Sequence, residues 1–193
     1  MLGIKDIIYR YRHNRGFGVQ SPYAFHFVTS VLREKHHYYA YAAIGHTAKQ
    51  CGARASHCRR LFRITNYARP GSILLTAPDA AAAHAITAAR PSAQVLVVDG
   101  THSGKEFFTD GNTSWMLYVG HTADYATAVG EALAHTGSDS IVIVEGIHTS
   151  RKKREWWEDI KQNSAVGVTF DLYSMGIMFF DKKYKKQHYT LKM

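Results

Sequence analysis

The chain has 193 residues, which corresponds to one domain and is long enough to bury an apolar core without metal ions or disulfides. Its composition, 46% hydrophobic and 20% charged, excludes an intrinsically disordered chain. No apolar run reaches the roughly 18 residues of a membrane span, so we expect no membrane contact. Two cysteines, Cys51 and Cys58, and the lack of a visible signal peptide predict a cytoplasmic protein without a disulfide framework.

The net charge of +9 is distributed unevenly along the chain. Counting Lys and Arg against Asp and Glu gives +10 for residues 1–70, −6 for residues 71–150 and +5 for residues 151–193. Basic protein surfaces attract nucleic acids, anionic membranes or acidic ligands. An acidic middle part between two basic ends predicts that a polyanion, where one binds, contacts the ends rather than the middle.

The first 70 residues have helical periodicity and are predicted to form a cap of helices. Apolar side chains at helical spacing predict helices near residues 4–11, 21–32 and 47–67. Ser21-Pro22 has the form of an N-cap followed by proline in the first turn. We expect Pro70-Gly71 to end the third helix.

After residue 70, short apolar runs alternate with helical stretches, which predicts a mostly parallel sheet covered by helices on both faces. Two further apolar runs, joined at Ser174–Gly176, predict a C-terminal antiparallel hairpin. We therefore expect a three-layer, Rossmann-like α/β domain over residues 71–193, behind the helical cap of residues 1–70. The predicted strands lie at residues 73–75, 95–98, 115–119, 141–144, 166–172 and 177–180, and the predicted helices at 80–89, 123–135 and 151–162.

Both end regions of the chain contain distinctive motifs. They are His13–Phe25, Val144–Arg151, Trp157–Lys161, Thr169–Tyr173 and Gly176–Ile177. These motifs resemble a small bacterial group of class I S-adenosylmethionine-dependent methyltransferase-like proteins, and the resemblance covers effectively the whole chain. It implies a methyltransferase-type sheet, and methyl transfer from S-adenosylmethionine to an oxygen or nitrogen of a small-molecule acceptor.

The turn after the first predicted strand departs from that family. The family has an acidic residue and a glycine-rich turn there, because the backbone approaches the cofactor closely. In this chain Ala77 stands where a glycine is expected, and Pro78 removes a backbone donor. Where the cofactor binds, the resemblance implies contacts from Ala77 and Asp79, and from Asp99 and Gly100 at the end of the second strand. Asp99 lies 22 residues beyond Ala77, which suits an acid for the ribose hydroxyls; a plain turn residue is the alternative.

Two more features of the family's cleft are missing. The 15 residues between Asp99 and Trp115 allow a short helix near residues 104–109, but not the full helix and strand of the relatives. The next strand end reads Val-Gly-His-Thr at residues 119–122, where the relatives carry an acidic residue. The sequence therefore predicts an intact scaffold with a degenerate cofactor site, whose methyltransferase activity is reduced or lost.

Glu145 and His148 are the candidate catalytic residues. They stand where the relatives have an acidic residue and a histidine, at the carboxyl end of a central strand. Ligands of open α/β sheets bind at that edge, and a histidine beside a carboxylate can act as the general base of methyl transfer. The alternative is a local turn in which Thr149 or Ser150 caps the following helix.

Clusters of cations support a second hypothesis. Arg151–Arg154 lie in the first turn of a predicted helix and oppose its dipole, unless an anion binds there or the side chains extend into water. Arg59, Arg60 and Arg63, with the basic and aromatic residues before residue 16, are a candidate nucleic-acid surface. The second hypothesis is a non-catalytic binding or scaffold protein that contacts anionic partners through its basic N-terminal helices and C-terminal tail. The histidines and cysteines lack metal-ligand spacing, so we expect no metal.

Overall fold

The computed structural model describes residues 21–99, 105–108 and 114–191. The predicted helix at residues 4–11 and Gly100 lie outside these ranges. The helices are α1 (Pro22–Phe27, continued by a π-helical turn, Val28–Leu32), α2 (Tyr41–Gln50), α3 (Ala55–Ala68), α4 (Ala80–Ala89), α5 (Tyr125–Leu133) and α6 (Arg151–Ile160), with a 3₁₀ turn at Lys105–Phe108. The strands are β1 (Ser72–Thr76), β2 (Gln94–Val98), β3 (Trp115–Val119), β4 (Ile141–Glu145), β5 (Val168–Asp171), β6 (Met175–Phe179) and β7 (Gln187–Thr190). Within these ranges, no helix is long and apolar enough to cross a membrane.

The strands form one sheet in the order β2-β1-β3-β4-β6-β5-β7. The first four are parallel neighbours, whereas β6 runs antiparallel to both β4 and β5. The predicted fold class, a mostly parallel sheet with a C-terminal antiparallel hairpin between helical layers, is confirmed. Because β2 and β3 lie on opposite sides of β1, the chain reverses its direction of travel there, and such a switch point opens a crevice at the carboxyl ends of the strands.

Each face of the sheet has its own apolar core. Ile73 and Leu75 of β1 join the cluster with helices α1 to α4, whereas Leu74 joins the cluster with α5, α6 and the 3₁₀ turn. Every residue of β1, β3 and β4 is buried, which explains why these strands have continuous apolar runs rather than alternating ones. The described helices before residue 70 therefore pack directly on the sheet and share its core.

The prediction of one helix from residue 47 to residue 67 is wrong. Helix α2 ends at Gln50, and α3 begins at Ala55. Between them Gly52 has φ +67°, a left-handed conformation that glycine adopts at little cost and that interrupts a helix. The break places the first turn of α3 at the carboxyl edge of the sheet.

Strand β7 is an element that the sequence pattern does not predict. It pairs parallel to β5 and extends the sheet by one strand at that edge. Its four residues are mostly polar and each is half-buried, so no apolar run marks them. The strand is held by its partner, since the ring of Tyr189 stacks on Phe170 with 5.3 Å between the ring centroids.

Candidate functional site

A cleft of about 620 Å³ lies at the carboxyl edge of the sheet. Its walls are the first turns of α3 and the segments that follow β1, β3, β4 and β5. The residues that bring chemistry to it are His57, Arg60, Asp79, His121, Glu145 and His148. Ligands of open α/β sheets bind at this edge, so the position agrees with a ligand site.

Glu145, the last residue of β4, is the buried carboxylate of this cleft, and 1% of it is exposed. Its Oε1 lies 2.8 Å from Nε2 of His57 on α3. Its Oε2 is 3.8 Å from Nε2 of His121, which is too far for a hydrogen bond. Among the residues that the structure describes, Oε2 has no hydrogen-bond partner. One oxygen of Glu145 is therefore paired and the other is left as an acceptor without a donor.

His148 belongs to a second imidazole–carboxylate pair. Its Nε2 lies 2.7 Å from Oδ2 of Asp171, the last residue of β5. The other oxygen of Asp171 accepts a 2.8 Å hydrogen bond from the backbone N–H of Tyr173, whose ring stacks on the imidazole of His148. The predicted residues Glu145 and His148 thus line the same cleft, but each is paired with a different partner from the hairpin or from α3.

Two cations lie close enough to act on Glu145. Burial lowers the pKa of Arg60, and nearby Arg63 lowers it further, while Glu145 acts in the opposite direction. Burial also lowers the pKa of Lys153, again against the raising effect of Glu145. The pKa of the Tyr118 hydroxyl is raised, first by its burial and then by the charge of Glu145, and this hydroxyl makes no hydrogen bond to Oε2 of Glu145. Glu145 therefore acts on the pKa of three buried or partly buried neighbours, Arg60, Lys153 and Tyr118.

The basic start of α6 is only partly solvated. Ser150 caps the helix by accepting a 3.0 Å hydrogen bond from the N–H of Lys153, as one of the alternatives predicts. Arg151 is exposed and pairs with Glu155. Lys153 is 3% exposed and its Nζ lies 4.8 Å from the ring centre of Tyr125, so the expectation that these side chains extend into water is wrong for Lys153.

The turn after β1 is closed by its own neighbours. The N–H of Ala77 donates to the carbonyl of Val98, and the N–H of Gly120 donates to the carbonyl of Thr76, both at 2.8 Å. A Cβ at Gly120 would lie 1.9 Å from the carbonyl oxygen of Ala77. The end of β3 therefore packs directly on the backbone of this turn, at the switch point of the sheet.

The predicted cofactor residues are only partly brought together. Asp79 lines the cleft, but its carboxylate also caps α4 by accepting a 2.7 Å hydrogen bond from the N–H of Ala82. Ala77 and Asp99 do not belong to the residues that line the cleft, and Asp99 follows the edge strand β2 at an exposed position. Gly100 lies outside the described residues.

The chain is similar to solved structures of methyltransferases. A methyltransferase from Geobacter sulfurreducens is 8% identical, with 84% of this chain and 98% of that chain covered at a TM-score of 0.49. The MycE methyltransferase of the mycinamycin biosynthetic pathway, in complex with Mg and SAH, is 10% identical, with 72% and 51% covered at a TM-score of 0.42. This is a likeness of fold. No protein-family profile and no curated protein sequence matches the chain.

Several residues of the site carry no signal that sequence reasoning could use. His57 and Glu145 are 88 positions apart, and His148 and Asp171 are 23 apart. Asp171 stands within a motif of the resemblance, but nothing in the sequence pairs it with a histidine. Within the described part of the chain, no group of three or more His, Cys, Asp or Glu residues is arranged to hold a metal ion.

Two of the three arginines of α3, Arg63 and Arg59, make contacts within the protein. Arg63 donates to the carbonyls of Val31 and Leu32, at 2.7 and 2.8 Å. Arg59 lies over the ring of Tyr41, 5.1 Å from its centre. Contact with nucleic acid stays a prediction, and it depends on the basic residues before residue 16.

Replacing Ala77 with glycine is expected to raise the free energy of unfolding by about 1 kcal/mol. Ala77 has φ +45°, in the left-handed region that favours glycine. Ala83→Gly, inside α4, is the matched control and should lower the same free energy by about 1 kcal/mol, because glycine is a poor helix former. Urea denaturation of both variants measures the two effects, and a loss of stability in Ala77→Gly would contradict the expectation.

Proposed function

We propose that this chain is a methyltransferase-like protein that does not use S-adenosylmethionine and retains its cleft for acid–base chemistry on a small molecule. The observation that carries the proposal is the presence of two imidazole–carboxylate pairs, His57 with Glu145 and His148 with Asp171, on one cleft. A carboxylate that contacts one ring nitrogen fixes the orientation of the imidazole and stabilises its protonated form. Imidazole is also the side chain best suited to proton transfer near neutral pH.

The residues after β1 do not fit S-adenosylmethionine, whose sulfonium would supply an electrophilic methyl group. Two backbone donors at this turn are used within the protein, since Ala77 donates to Val98 and Ala82 donates to the side chain of Asp79. Pro78 has no N–H. A Cβ at Gly120 would lie 1.9 Å from the carbonyl oxygen of Ala77, so β3 packs closely on this turn. These contacts support a protein in which the side of the cleft that would hold the methyl donor, S-adenosylmethionine, is closed.

Burial and position support acid–base chemistry at the side of the cleft that would hold the small molecule. Glu145 is 1% exposed, and the side chain of His57 that contacts it is 24% exposed, so the pair joins the protein interior to the open cleft. His148 is held from two sides, by Asp171 and by the ring of Tyr173. Groups fixed in this way keep the geometry that proton transfer to a bound molecule needs.

Thermal unfolding with S-adenosylmethionine or its demethylated product tests the donor half of the proposal. We expect no change in Tm at millimolar ligand, whereas a ligand present at 100 times its Kd would add about 2.7 kcal/mol to the stability. A clear rise in Tm with either compound would overturn this half and restore methyl transfer as the proposed reaction.

A fragment titration followed by the imidazole NMR signals tests the acceptor half. We expect some small polar fragments to move the signals of His57 and His148 together. His36, whose side chain is 89% exposed and lies outside the cleft residues, is the internal control and should not move with them. If no fragment moves the two cleft histidines, the cleft is not a small-molecule site and the proposal fails.

A further inference from the structure

The wall of the cleft that α3 forms is suited to an anion. Helix α3 has 14 residues, and its N-cap residue, Arg54, makes no side-chain capping hydrogen bond. Ala53, Arg54 and Ser56 line the cleft, so the first turn of α3 faces it. The first N–H groups of a helix have no partner within the helix, and together with the helix dipole they attract negative charge.

Arg60 adds a cation to the same wall. It lies one helical turn beyond Ser56 and His57, on the face of α3 that lines the cleft. Its Nε is buried and has no hydrogen-bond partner among the residues that the structure describes. A planar guanidinium recognises carboxylates and phosphates through paired hydrogen bonds. An anion placed between Arg54 and Arg60 would therefore meet the helix terminus and two guanidinium groups.

Glu145, which contacts His57 of the same helix, needs a hydrogen-bond donor. Glu145 is 1% exposed, its Oε1 is taken by His57, and its Oε2 has no partner within the described part of the chain. A buried hydrogen-bond acceptor without a donor costs stability. Because water reaches this oxygen poorly, a ligand whose hydroxyl group donates to it gains affinity. This observation is independent of the helix terminus and points to a ligand at the same cleft.

The remaining charges limit how much negative charge the ligand can carry. Asp79, Glu145 and Asp171 lie on or beside the cleft and would repel a highly charged anion. Tyr173, 44% exposed, presents an aromatic ring on the cleft wall. These two features favour a small, singly charged and preferably planar molecule over a polyanion.

Building on the proposed function, we infer that the cleft binds a hydroxylated carboxylate or phosphate monoanion, most simply an aromatic hydroxy acid. Its anionic group contacts the first turn of α3, Arg54 and Arg60. Its hydroxyl group donates to Oε2 of Glu145, the carboxylate that His57 also contacts. The hydroxyl therefore lies against the imidazole–carboxylate pair that the proposed acid–base chemistry uses.

Calorimetric titration of the full chain with 4-hydroxybenzoate, benzoate, phenol and inorganic phosphate tests this inference. We expect 4-hydroxybenzoate to bind at least tenfold more tightly than benzoate, which lacks the hydroxyl, and than phenol, which lacks the anion. Arg60→Met and Arg54→Met should each weaken 4-hydroxybenzoate at least fivefold. Arg59→Met, on the same helix but with its guanidinium over Tyr41, is the matched control and should leave binding unchanged.

The hydroxyl contact has its own variant. Glu145→Gln should remove the preference for 4-hydroxybenzoate over benzoate. Where Glu145→Gln does not fold, Glu145→Asp serves the same purpose, because it keeps the charge but draws the carboxylate back from the hydroxyl group. Binding of inorganic phosphate that depends on Arg54 and Arg60, without binding of the aromatic acids, would also support an anion site on α3 and would identify its ligand as phosphate. If no anion binds with this arginine dependence while other fragments still move the signals of His57 and His148, the inference is overturned and the proposed function stands. If no fragment moves them, both fail.

Discussion

Gly120→Ala is expected to lower the free energy of unfolding by about 3 kcal/mol, the upper end of the usual cost of overpacking. The added Cβ would lie 1.9 Å from the carbonyl oxygen of Ala77 and 2.8 Å from its carbonyl carbon. These are backbone atoms, which cannot rotate away as a side chain can. The ends of β1 and β3 would have to separate, and the hydrogen bond from the Gly120 N–H to Thr76 would be lost with them.

Gly130→Ala is the matched control for this substitution. Gly130 lies inside α5, and a Cβ there meets nothing within 4 Å, so alanine should raise the stability by about 1 kcal/mol through its better helix propensity. Urea denaturation of the two variants gives both values. If Gly120→Ala costs less than about 1 kcal/mol, the turn after β1 is not held against β3, and this contact does not close the cofactor side of the cleft.

The elements of the sheet were accessible from the sequence because their burial leaves a pattern. Strands β1, β3 and β4 are buried on both faces, and polar residues occur only at the ends of these strands. The limits predicted for α4 and β3 agree with the structure to the residue. The order of the strands in the sheet could not be predicted in this way, because it depends on pairings between distant residues that no local pattern encodes.

The site was only partly accessible, for the same reason. Glu145 and His148 could be proposed from their place at a strand end, but their partners His57 and Asp171 come from other elements. The position of His57 depends on the break at Gly52, which apolar periodicity does not reveal. Lys153 is one of four consecutive basic residues in the sequence, and only its contact with Tyr125 in the structure distinguishes it from the other three.

Glu145→Gln is expected to lower the free energy of unfolding by about 2 kcal/mol, the size of a Coulomb interaction over several ångströms at a partly buried site, because it removes a negative charge that acts on the buried cations Arg60 and Lys153. Lys153 is 3% exposed, and among the charged groups that affect it, Glu145 is the one that raises its pKa against the effect of burial. Glutamine keeps the size of the side chain and can still contact His57, so the loss measures the charge rather than the packing. Glu155→Gln is the control: its pair with Arg151 is exposed, and such pairs contribute at most about 1 kcal/mol.

A double-mutant cycle separates the effect of Lys153 from the other contacts of Glu145. Lys153→Met removes the buried charge and keeps the length of the side chain, so it should recover part of the stability that Glu145→Gln loses. We expect a coupling of about 1 kcal/mol or more between the two positions, measured by urea denaturation of both single variants and the double variant. Additive losses would mean that Lys153 does not depend on Glu145. In that case Glu145 would serve the cleft side alone, through its contact with His57 and the unpartnered oxygen Oε2.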